Sequence, residues 1–138
     1  MQSKVTSISP DTLSGWMLSG KHDFLIVDVR DVDYLHERIK GALHAPSTLL
    51  AISLAKVADY ILSLETQPLY TIFYCNEWFA FFLCSLNFFL CSIDRGPTAA
   101  RTFSLQASSK FPSMNICYLE GGWSGWKKRF LDNPNLVC

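Results

Sequence analysis

The sequence predicts an α/β domain of three layers, a parallel sheet of about five strands with helices on both faces. Three observations predict it. Short uninterrupted apolar runs, Phe24–Val29 above all, have the length and composition of strands buried on both sides. Segments with apolar residues at helical spacing, such as Leu49–Leu64, alternate with those runs. The alternation fills 138 residues with no internal repeat and no low-complexity linker, which fits one sheet and one core.

Along the chain, Ser9-Pro10-Asp11 reads as a helix cap followed by a first-turn proline, and Gly20 closes that helix. Leu13, Trp16 and Met17 fall on its inner face. Phe24–Val29 is a strand, Asp33–Arg38 a short helix, and Gly41–Ala45 a second strand before the Pro46 turn. The long amphipathic helix Leu49–Leu64 follows, then strand Leu69–Cys75, helix Pro97–Ala107, strand Asn115–Leu119 and helix Trp123–Leu131. Ligands of such sheets bind beyond the carboxyl ends of the strands. Cys75 ends a strand and Arg95 precedes a helix, so both fall at that end.

Composition narrows the function. Twelve Lys and Arg balance twelve Asp and Glu, so no net field favours nucleic acid or an anionic membrane. The polar opening Met1–Asp11 is unlike a secretory signal. Five cysteines without zinc-like spacing read as free thiols in a reducing cytoplasm or nucleus, and no metal or cofactor is expected. The run Leu69–Cys91 is long enough to cross a bilayer, but Glu77, Asn76 and Asn87 lie within it and a charge there is costly. Spanning would also separate a strand and a loop that belong to one site, so a monomer off the membrane is expected.

The chemistry lies in Arg95-Gly96-Pro97-Thr98-Ala99-Ala100-Arg101, an anion-binding loop running into a helix. Pro97 fits the first turn, whose free N–H groups and the Arg95 guanidinium can hold a phosphate-like dianion. Such a loop calls for a nucleophile just upstream. Cys75 ends the preceding strand, yet lies twenty positions before Arg95. Excising the fourteen residues Trp78–Cys91 leaves Cys75-Asn76-Glu77-Ser92-Ile93-Asp94-Arg95, a Cys-x5-Arg loop. Cys75 is then the nucleophile, reactive as the thiolate near a helix N-terminus and an arginine. Arg95 grips two equatorial oxygens of the transition state. Cys91 is a rival nucleophile, but its Cys-x3-Arg spacing is short for a phosphate cradle.

The reconstructed loop resembles that of the M-phase-inducer type of dual-specificity phosphatase and its small single-domain relatives, which include the yeast-type arsenate reductases. Leu25-Ile26-Val27-Asp28-Val29-Arg30-Asp31 and Ile39-Lys40-Gly41-Ala42-Leu43-His44-Ala45-Pro46 are similar to the first half of a rhodanese-type domain. Cys117-Tyr118-Leu119-Glu120-Gly121-Gly122-Trp123-Ser124-Gly125-Trp126 is similar to its closing strand, turn and helix. The resemblance therefore covers nearly the whole chain as a single domain, 1–138, and departs from the family at Tyr74, where a histidine is usual, and at 78–91.

The resemblance implies hydrolysis of phosphotyrosine on a phosphorylated protein through a phospho-cysteine, with arsenate reduction or sulfur transfer on a small oxyanion substrate, or an inactive binding module, as the alternatives. Sulfurtransferases of this fold use Cys-x4-Arg, and the extra residue here suits a phosphate. Asn76, Glu77, Ile93 and Gly96 would complete the phosphate-binding loop. Ser92 would hydrogen-bond the leaving thiolate, and Asp94 stands where the family carries a glutamate proposed as general acid, although an exposed loop aspartate fits equally. Asp28 and Arg30 are expected to hold the fold, and Tyr74 to face away from the ligand and act on the thiolate.

The run Trp78–Cys91 is expected to impair the enzyme, and the reading favoured here is a retained intron. Leu86-Asn87 permits a branch-site sequence, Phe88-Phe89-Leu90 a pyrimidine tract, Cys91-Ser92 an acceptor and Trp78-Phe79 a donor. Excision there keeps the frame but replaces Ser92 by cysteine. A hydrophobic insertion that packs on the domain or on a partner is the alternative.

Overall fold

The computed structural model describes residues 5–31, 37–76 and 95–138. Among them, strands β1 (Thr6–Ile8), β2 (Phe24–Asp28), β3 (Leu43–His44), β4 (Tyr70–Tyr74) and β5 (Asn115–Leu119) form one sheet. Its order is β1-β5-β4-β2-β3, and every pairing is parallel. Helices α1 (Pro10–Leu18), α2 (Leu50–Ser63), α3 (Arg95–Ala107) and α4 (Gly122–Phe130) cover it. The three-layer α/β fold is the one the sequence predicts. The expected helix Asp33–Arg38 falls largely on 32–36, and the run 78–91 falls within 77–94, both outside the described residues.

Alternation along the central strands builds two cores. Val27, Phe73, Cys75 and Ile116 face one side and pack with Leu54, Val57 and Ile61 of α2 and Ala99, Ala100 and Phe103 of α3. Ile26, Ile72, Tyr74, Cys117 and Leu119 face the other side, with Leu13 of α1 and Trp123 and Trp126 of α4. Trp16 and Met17 join that core while half-buried, as their helical spacing requires. Ser9 caps α1 by accepting the Thr12 N–H at 3.1 Å. The turn from β5 into α4 needs positive φ at two successive positions, and Gly121 (φ 76°) and Gly122 (φ 52°) supply it without a Cβ penalty. Strand β1, absent from the sequence prediction, is a three-residue edge strand on β5.

At the carboxyl end of β2, Asp28 and Arg30 form a buried ion pair, 0 % and 2 % exposed. Asp28 accepts from the Arg30 backbone N–H at 3.0 Å and from its Nη2 at 2.6 Å. Tyr74 donates its hydroxyl to Asp28 at 2.8 Å and accepts the Ile39 N–H at 3.2 Å. Burial, with the Asp28 carboxylate beside it, holds that phenol far above the ordinary tyrosine value. The guanidinium of Arg30 lies over the Trp123 ring at 4.9 Å. Asp28 and Arg30 sit as expected of residues that hold the fold, and Tyr74 lies on the face of β4 opposite Cys75, bonded to Asp28 and Ile39. Removing one partner strands a buried charge, so Asp28→Ala should cost about 3–5 kcal/mol of unfolding free energy. Tyr74→Phe, which strands one donor and one acceptor, should cost about 1–3 kcal/mol. Urea denaturation of the two variants checks both values and their order.

Candidate active site

Strand β4 is central in the sheet, paired to β2 on one side and β5 on the other, which fixes where its carboxyl end lies. The Tyr74 carbonyl accepts the Val29 N–H at 2.9 Å, and the Cys75 carbonyl accepts the Trp123 N–H at 2.7 Å. The backbone of Cys75 is thus tied into the start of α4. Its side chain points into the core beneath α2 and α3 and is 1 % exposed.

The first turn of α3 comes to the same place. A Cβ on Gly96 would stand 3.5 Å from the Cys75 nitrogen and the Tyr74 Cα and 3.6 Å from the Phe73 carbonyl oxygen. The absence of a side chain lets the helix start press onto the strand end. Cys75 and the first turn that carries Arg95 are therefore brought together across twenty positions of sequence. Pro97 sits in that turn, as expected, and is buried.

Arg95 is 19 % exposed and turns toward the end of β2, where its Nη1 meets the Asp31 carboxylate (22 % exposed) at 3.4 Å. Asp31 is itself held, accepting the Ser47 hydroxyl at 2.5 Å and the Thr48 N–H at 2.9 Å. Burial works to raise its pKa, but the hydrogen bonds from Ser47 and Thr48 and the Arg95 charge outweigh that and keep the carboxyl below the ordinary aspartate value. On the opposite flank Asn76 accepts the Ser124 hydroxyl at 2.7 Å, linking the loop after Cys75 to the first turn of α4.

Of the residues that the sequence singled out, Cys75, Asn76, Arg95 and Gly96 are gathered at one end of the sheet. Glu77, Ser92, Ile93 and Asp94 lie outside the described residues. Sequence reasoning missed Asp31, Ser47, Thr48 and Ser124. Asp31 directly follows Asp28-Val29-Arg30 and Ser124 directly follows Gly121-Gly122-Trp123, so both stood inside motifs that were read only for their other residues. A cavity of about 550 Å³ lined by Gly20, His22, Phe24 and Lys40 lies at the amino ends of β2 and β3. Among the described residues, no three His, Cys, Asp or Glu cluster as metal ligands. No helix among them is long and apolar enough to cross a membrane.

Comparison with known proteins matches residues 9–129 to the rhodanese-like domain. The dual specificity phosphatase ibp1 of Schizosaccharomyces pombe is 30% identical over 152 aligned residues, covering 98% of this chain and 97% of that protein. Among solved structures, Ygr203w, a yeast protein tyrosine phosphatase of the rhodanese family, superposes with a TM-score of 0.75 at 23% identity, over 97% of this chain and 92% of that one. The As-Sb reductase of Leishmania major gives 0.71 at 21% identity, over 97% and 85%. The two structures establish likeness of fold.

The contact at Gly96 has a measurable consequence. A single methyl meets its neighbours at ordinary van der Waals distance, so Gly96→Ala should fold with stability close to the parent. The branched side chain of Gly96→Val meets backbone that cannot give way and should destabilise by about 1–3 kcal/mol. Thermal unfolding of the pair should show the valine variant clearly below the alanine variant.

Proposed function

This chain belongs to the rhodanese-like domain family, and on that premise we propose that it is a cysteine-dependent phosphatase acting on phosphotyrosine in proteins. The observation that carries the reading is the meeting of Cys75 with the first turn of α3, which begins at Arg95, at the carboxyl end of β4. In this reading a dianion bound there would be held by N–H groups of the helix start and by the Arg95 guanidinium, a pairing that suits a phosphoryl group. The 30% identity to a protein named as a dual specificity phosphatase supports the same choice.

In this reading the Cys75 sulfur attacks phosphorus in line. The S–P bond forms as the bond from phosphorus to the tyrosine oxygen breaks, and Asp94 supplies the proton that the leaving phenoxide takes up. Arg95 holds two equatorial oxygens through the transition state. Water, giving a proton back to Asp94, then attacks phosphorus as the S–P bond breaks, phosphate leaves, and Ser92 hydrogen-bonds the departing thiolate. Asn76, Glu77, Ile93 and Gly96 complete the loop around the phosphate. The setting proposed is the cytoplasm or nucleus, and the active unit one copy of the chain.

The segment 78–91 is proposed to impair this chemistry. Nineteen residues separate Cys75 from Arg95 where five would close the loop, and misplacing a reacting group by about 1 Å can cost about a hundredfold. The retained-intron origin of the segment is tested by sequencing the mature transcript: a single message that keeps these codons rejects it.

The full chain and a variant lacking Trp78–Cys91 should be assayed side by side on a small aryl phosphate. The shortened variant should turn over faster by about a hundredfold or more, and Cys75→Ser and Arg95→Ala within it should each abolish turnover. Equal rates in the two forms reject the impairment. In the shortened form, phosphotyrosine hydrolysis should exceed both sulfur transfer from thiosulfate and arsenate reduction, and dominance of either rival would overturn the phosphatase reading.

A further inference from the structure

We propose that Asp31 is a positioning residue, a brace that sets the direction of the Arg95 guanidinium before an oxyanion arrives; the inference rests on the phosphatase reading above. Three observations join in it. The contact is direct, Nη1 to Oδ2 at 3.4 Å, between residues that are 64 apart in sequence, one in the loop just after β2 and the other opening α3. Asp31 is not a free surface carboxylate, because the Ser47 hydroxyl at 2.5 Å and the Thr48 N–H at 2.9 Å fix both of its oxygens. Ser47 is in turn anchored to the sheet, donating its N–H to the Val29 carbonyl at 3.2 Å. The brace thus runs from the end of β2, through the turn after β3, to the start of α3.

An arginine side chain carries about 2 kcal/mol of rotamer entropy, and a clamp that needs one direction gains by having it set in advance. A guanidinium has five N–H donors in a rigid fork, so a contact through Nη1 orients the fork without consuming it. Two other roles fit less well. A general acid must hold a proton at working pH, whereas Asp31 is kept ionised by its hydrogen bonds and by Arg95. A carboxylate that merely competed with substrate for Arg95 would not need two further anchors of its own.

The brace makes an asymmetric expectation. Asp31→Asn keeps the shape and the Thr48 bond but removes the charge that directs the guanidinium. It also removes a negative charge near a dianion, so ground-state binding should not weaken. In the full chain, with a small aryl phosphate in excess over enzyme, kcat should fall about tenfold while KM stays level or falls. The unfolding temperature should stay within about 2 °C, since an isosteric, partly exposed change is a small perturbation. Asp31→Glu should recover part of the rate. In an Arg95→Lys background, Asp31→Asn should add little further loss, because there is no fork left to direct.

An unchanged or raised kcat in Asp31→Asn, or a fully additive loss with Arg95→Lys, overturns the brace. If the parent chain shows no turnover on any aryl phosphate, the failure belongs to the phosphatase reading. The brace is then judged on the Arg95 Nε–H resonance in nuclear magnetic resonance spectra: a signal that sharpens into rapid motion in Asp31→Asn supports it, and an unaltered signal rejects it.

Discussion

The buried pair of Asp28 and Arg30 is the interaction on which the rest of the structure depends. Two charges taken out of water are tolerable only if nearly every donor and acceptor around them is used. Here the demand is met by parts of the chain that are remote in sequence. Tyr74 of β4 donates to Asp28, the Glu37 carbonyl accepts from Arg30, and the His44 ring donates to the Arg30 carbonyl at 2.6 Å. Trp123 of α4 stacks on the guanidinium. Satisfying one ion pair therefore fixes the ends of β2, β3 and β4 and the start of α4 relative to one another. The candidate site is built from the residues that follow immediately: Asp31 after Arg30, Cys75 after Tyr74, Ser124 after Trp123.

That placement explains the two faces of β4. Tyr74 and Cys75 are neighbours, and the pleat sends one into the ion-pair network and the other beneath α3. The tyrosine hydroxyl reaches Asp28 and Ile39, bonds that hold the strand end in position. Any influence on Cys75 passes through the backbone they share and through the Val29 N–H bond to the Tyr74 carbonyl.

How much of this the sequence revealed depended on whether a signal was local. Strands β2, β4 and β5 and helix α2 were legible because each buries a face, and burial writes a hydrophobic period into consecutive residues. Strand β1 was not, because Thr6-Ser7-Ile8 is short, mostly polar and exposed on an edge, with only Ile8 buried. The meeting of Cys75 with the helix that opens at Arg95 could be anticipated because a strand-ending cysteine and an Arg-Gly-Pro helix start are each recognisable alone. The partnership of Asp31 with Arg95, Ser47 and Thr48 could not be read, since it exists only once the sheet order sets β2 between β3 and β4. The link from Ser124 to Asn76 likewise depends on where α4 returns over the sheet.

The run between Cys75 and Arg95 separates stability from catalysis in a way the physics makes quantitative. Lengthening the connection from five to nineteen residues adds only about 1 kcal/mol of loop-closure cost, because that cost grows with the logarithm of length. The contacts that hold β4 to α3 lie on either side of the run: Gly96 on the strand end, Phe73 against Phe103 at 5.4 Å between ring centroids, and Ala99 and Ala100 in the shared core. None of these needs the connection to be short. A phosphate cradle does, since its oxygens are held by successive N–H groups of one tight loop, and geometry at the reacting atoms is unforgiving on the scale of an ångström. A family fold and an impaired site are therefore compatible in one chain, and the likeness of its fold to that of phosphatases carries no information about its rate.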